Sequence, residues 1–148
     1  MRGKILNAVL ALTILTIGGV ATASAQLPGT RMTAQIPFAF NVGEQTFSAG
    51  TYEVRRLGDD PRLLHIQNVD DRSEAAIFLT GIDELRSIRQ STLLFHRYGD
   101  FYFLVEIRSK FEGITRELQP SEQERRMKRQ LASNNKAPEL QSVMLVAN

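Results

Sequence analysis

The sequence predicts an all-β domain: a mainly antiparallel barrel or sandwich of about seven or eight strands, with one surface helix near the C-terminus. Three observations predict it. Apolar and polar residues alternate in several short runs. Clusters of glycine, aspartate and proline separate those runs at short intervals. Only Pro120 to Asn135 has the 3.6-residue period of a helix. Short connections favour antiparallel pairing.

Ahead of the domain stands a leader. Arg2 and Lys4 precede an uncharged apolar stretch from Ile5 to Val20, and Ala23-Ser24-Ala25 follows with the small-x-small pattern of a signal-peptidase site. Residues 1–25 therefore read as a signal peptide. The stretch contains Gly18 and Gly19, is short for a span of about 20 apolar residues, and runs directly into the cleavage pattern, so no transmembrane anchor is expected after cleavage. The chain has no cysteine, which excludes lipid attachment at the cleavage point, disulfide staples and thiolate-held zinc. Loss of Arg2 and Lys4 lowers the 18 basic residues to 16, equal to the 16 acidic ones. A neutral mature chain argues against whole-molecule electrostatic binding of nucleic acid. It fits one domain, 33–148, after a flexible lead at 26–32.

The elements follow in order. In "QIPFAFNV" Ile36, Phe38, Phe40 and Val42 share one side of a half-buried strand. Pro37 cannot donate to a ladder, which places that strand at an edge or beside a bulge. Gly43 turns the chain. "GTYEV" forms the next strand, with Tyr52 and Val54 inward. "GDDP" (Gly58 to Pro61) is a turn whose glycine permits unusual φ, whose aspartates bond nearby backbone and whose proline fixes its own φ. "RLLHIQNV" and "EAAIFLT" are strands joined by "DDRS". "GIDELRSIRQ" reads as a loop or one helical turn, and "KFEGITREL" as a strand extension or a short extra strand.

In "LLFHRYGDFYFLVEI" (Leu93 to Ile107) Gly99-Asp100 reads as a two-residue type II′ hairpin turn. Period two then pairs Tyr98 with Phe101, His96 with Phe103, Leu94 with Val105 and Thr92 with Ile107 on one strongly apolar face. The other face carries Arg97 with Tyr102, Phe95 with Leu104 and Leu93 with Glu106. Both faces are partly apolar, so both are covered, one by the main core and one by the helix or a partner. His96 is placed on the core side, bonded to backbone or to Tyr98.

Ser121 and Glu124 form a capping box at the start of a helix over about 121–133. Its acidic residues lie toward the positive end of the helix dipole and its basic residues toward the negative end. Met127 and Leu131, with Leu118 before the helix, supply one narrow apolar line. After Pro138, residues about 140–147 read as a last strand.

The chemistry-bearing motifs are few. The chain has no Gly-x-Ser-x-Gly, P-loop, dinucleotide glycine motif or His-Glu-x-x-His. Asp59-Asp60 and Asp70-Asp71 read as turn residues, without the alternating aspartates of a calcium loop. His65 and His96, the two histidines, lie on different strands. With Glu53 or Glu106 they could share a metal, but no ligand spacing supports it.

The stretches "IPFAFNVGEQTFSAGTYEV", "LLFHRYGDFYFLVEI" and "RELQPSEQE" together resemble a family of small exported bacterial proteins of unknown function, over Ile36 to about Leu131. The usual proline before Ala-Gly is Ser48 here. The resemblance implies no assigned activity or functional residues.

The expectation is an exported, periplasmic or extracellular, non-catalytic domain that binds a small ligand or an envelope partner, without cofactor or metal. Tyr52, Tyr98, Tyr102 and His96 are the candidate ligand-binding residues. One rival is a structural envelope protein that self-associates through the Ile36 strand. Another is a metal-assisted hydrolase using His65 and His96.

Overall fold

A computed structural model describes residues 31–83 and 87–147. The expected signal peptide lies outside the described residues, as does most of the lead. Met32, assigned above to that lead, is instead buried and already paired on both sides.

Among the described residues eleven strands form: β1 (Met32–Ile36), β2 (Phe40–Val42), β3 (Gln45–Phe47), β4 (Gly50–Arg56), β5 (Leu63–Asn68), β6 (Ala75–Asp83), β7 (Thr92–Tyr98), β8 (Phe101–Ser109), β9 (Ile114–Leu118), β10 (Glu139–Met144) and β11 (Val146–Ala147). One helix, α1 (Glu122–Ala132), lies between β9 and β10. It is too short and too polar to cross a membrane. The higher strand number has local causes. Pro37 interrupts the first run, so it becomes β1 and β2. The segment after Gly43, where φ is +59°, returns as β3. The C-terminal run divides at Leu145, and β6 continues through Gly81–Asp83, where a loop or helical turn was expected.

The main strand order is β10-β7-β8-β9-β6-β5-β4-β1-β11, antiparallel along that path, while β2 pairs antiparallel with β3 and, at Asn41, parallel with β8. Two strands turn corners between what are in effect two sheets. β6 pairs with β5 up to Leu79 and with β9 from Thr80 onward. The C-terminal segment pairs with β7 through β10 and with β1 through β11. Leu145 sits buried at that second corner, its amide bonded to the Ser91 carbonyl. The result is a barrel-like sandwich. The core draws on both sheets: Tyr52 of β4 and Phe95 of β7 each meet Phe40 edge to face, at 5.0 and 5.5 Å between ring centroids. β1 is flanked by β4 along its length and by β11 at Met32 and Thr33, and Pro37, expected at an edge or beside a bulge, falls between β1 and β2. β10 pairs with β7 alone and carries exposed Leu140 and Met144.

The hairpin register departs from strict period two. Tyr98–Phe101, His96–Phe103, Arg97–Tyr102 and Phe95–Leu104 pair as expected. Leu94 then pairs with Glu106, Leu93 with Ile107 and Thr92 with Arg108, because Val105 is an extra residue on β8. This bulge brings Leu104 and Ile107 to the same face as Leu93 and Phe95, all of them buried in the main core. His96, Tyr98 and Phe103 therefore face outward, toward α1. The two faces of the hairpin are exchanged relative to the sequence expectation.

Candidate functional site

The outer face of the β7-β8-β9 sheet holds two groups of polar side chains, one at each end. The first lies beneath α1. Ser121 caps the helix, its Oγ accepting the Glu124 amide at 3.0 Å. Glu124 does not complete the box by reaching back. Its Oε1 lies 2.7 Å from His96 Nδ1 and accepts from the Tyr98 hydroxyl at 3.4 Å. Glu124 is the one buried residue of α1, at 3% exposure, while Met127 and Leu131 are half-buried. Burial and the Glu124 charge push the Tyr98 hydroxyl up to about 12. His96 is thus a helix anchor held by a carboxylate, and not the core histidine bonded to backbone or Tyr98 expected above. One signal in the sequence pointed to this: Glu124, Met127 and Leu131 are spaced three and four apart, which puts the glutamate on the contact line.

The second group lies at the far end of that face. Thr92, Arg108 and Thr115 form one row across β7, β8 and β9. With Ser87, Ile88, Arg89 and Gln90 they enclose a groove of about 370 Å³. Arg108 donates through Nε to Glu106, and among the described residues its two terminal nitrogens have no other acceptor. Thr115 is 2% exposed, and its hydroxyl has no hydrogen-bond partner. An unpaired buried hydroxyl costs about 1–3 kcal/mol, which marks the position as unusual for a residue kept only for packing. Sequence reading passed over this row, since the three residues are far apart in the chain and only the pairing unites them.

The remaining candidates sit elsewhere. Tyr52 is fully buried against Phe40 and Phe47. Its hydroxyl is 2.6 Å from Glu74 Oε2 and 2.7 Å from the Ser48 carbonyl. Glu74 also accepts from the Ser48 hydroxyl at 2.6 Å and from Asn68 at 3.1 Å. These bonds hold its carboxyl down at about 2, against an ordinary 4.5. Burial, then the bond to Glu74, pushes the Tyr52 hydroxyl well above its usual range. Tyr102 stacks on Phe38 at 3.9 Å, with the Arg97 guanidinium 5.6 Å from its ring centre. His65 is on β5 and His96 on β7, in different sheets. Burial, then the Arg55 charge, lowers the His65 pKa, and its Nδ1 is buried without a partner. Glu53 lies beside Arg31 and Arg55, and Glu106 beside Arg108. Among the described residues no three potential ligands converge on a metal position. No family model, curated protein or solved structure matches the chain.

Proposed function

We propose that this chain is an exported, non-catalytic β-domain, periplasmic or extracellular, that binds a small ligand on the outer face of its β7-β8-β9 sheet. One observation carries the reading: the Thr115 hydroxyl, buried without a partner in the wall of the groove that Arg89, Arg108 and Thr92 also line. The groove's volume lies within the range of small-molecule sites. The leader motif in residues 1–25 supports export. Native mass spectrometry of the protein from its own envelope fraction tests both parts. The expected species begins at Gln26 and carries a small molecule that is released on denaturation. Intact residues 1–25, or a ligand-free mass in every gentle preparation, would overturn the corresponding part.

A second reading, a structural envelope component, is favoured by exposed Leu140, Met144 and Val146 along the C-terminal segment. It predicts concentration-dependent association in light scattering. A monomer at high concentration would sink it.

A further inference from the structure

We infer that the groove takes a small organic anion, its carboxylate or phosphoryl group held between Arg89 and Arg108 and hydrogen-bonded by the Thr92 and Thr115 hydroxyls. The inference rests on the ligand-binding reading above and adds the chemical class. Among the described residues, Arg89 and Arg108 are the charged ones lining the groove, and both are basic. Among the described residues the nearby carboxylates are otherwise occupied: Glu106 accepts from Arg108 Nε, and Asp83, the β6 partner of Thr115 in the ladder, has an interaction of its own. Binding through Nε fixes the Arg108 plane while its terminal nitrogens stay available. A guanidinium so held is pre-oriented for two parallel bonds to the paired oxygens of a carboxylate or phosphate.

The hydroxyls carry the same message. Thr92 pairs with Arg108, and Arg108 with Thr115, so the three side chains are successive neighbours on one face. Thr115 lacks an acceptor, and its hydroxyl can donate to an anionic oxygen. The groove has room for more than a bare inorganic ion, since a water molecule occupies about 30 Å³. Ile88 adds an apolar wall. Together these describe an anionic head on a compact, partly apolar body.

The test uses isotope-labelled protein and three probes of one shape: benzoate, phenyl phosphate and neutral benzamide. Their titration is followed through the amide resonances of Thr92, Arg108 and Thr115. Benzoate or phenyl phosphate should shift these resonances saturably, with benzamide weaker by about tenfold. The tighter of the two anions identifies the carboxylate or the phosphoryl group as the natural head. Arg89→Gln and Thr115→Val should each weaken the tighter anion by about tenfold, with the spectrum otherwise retained. Benzamide binding as well as benzoate would overturn the anionic class and leave the ligand-binding reading standing. Failure of all three up to about 10 mM, or unchanged affinity in both variants, would remove the groove as the site.

Discussion

At the residue scale, Glu74 shows how one carboxylate organises a loop. It gathers Ser48, Tyr52 and Asn68 from three segments that the sequence separates by more than twenty residues in part. The Ser48 hydroxyl supplies one of those bonds, at 2.6 Å. The sign of its pH effect follows from the lowered carboxyl. The folded value of about 2 lies below the ordinary 4.5, so the stabilisation is full above about pH 4.5 and is lost as pH falls through 2. Urea midpoints measured from neutral pH downward should fall over that window, and Glu74→Gln should flatten the fall. An identical pH profile in the variant would refute the assignment. Thr115→Val is the opposite kind of change. It removes an unpaired hydroxyl at a buried strand position and should leave stability unchanged or raise it by about 1 kcal/mol. Denaturant unfolding without ligand checks this, and a loss of more than about 1 kcal/mol would mean that the hydroxyl has a structural partner.

At the element scale, α1 is held by few contacts. Its surface is polar apart from Met127 and Leu131, and its deepest side chain is a glutamate. Propensity alone does not hold an 11-residue helix in water, so docking matters. Glu124→Ala should cost about 2 kcal/mol and accelerate amide exchange across Glu122–Ala132 before the strands open. Ser121→Ala should cost about 1 kcal/mol through the lost cap. Because Ser121 Oγ holds the amide of Glu124 itself, the double variant should lose less than the two single losses added. Strict additivity would show that cap and anchor act independently. The hairpin teaches the same lesson about elements. Its turn was legible, because Gly99 has φ +63° and sits between two apolar runs. Its bulge was not, because Phe103, Leu104 and Val105 are all apolar and period two passes through them without a mark.

At the scale of the whole molecule, the two corners decide the shape. Arg116 is fully buried near the one that β6 makes, paired with Ile82 across the ladder. Its guanidinium donates to the Pro61 carbonyl at 3.0 Å and to Glu112 at 2.7 Å, tying the turn before β5 to the turn before β9. Arg116→Met keeps much of the volume and removes both ties. It should lower stability by about 3 kcal/mol, since Glu112 and the Pro61 carbonyl lose their partner. At the other corner, Leu145→Ala should cost about 2–5 kcal/mol, within the usual range for a buried leucine. Both are read from denaturant unfolding, and a loss below about 1 kcal/mol would show that the corner in question is not a point of closure.

The sequence by itself determined the β class, the inward positions of Tyr52 and Val54, the Gly43 and Gly99 turns, and a helix capped by Ser121. Each depends on neighbours within a few residues, where alternation, φ preference and side-chain capping act. Tertiary structure alone decided which face of the hairpin is the core, that Glu124 anchors His96, and that Thr92, Arg108 and Thr115 share a groove. These depend on one unmarked bulge and on pairings between distant segments. A one-residue shift in a strand reverses every side chain beyond it, so local pattern fixes what a strand is and long-range packing fixes what it faces.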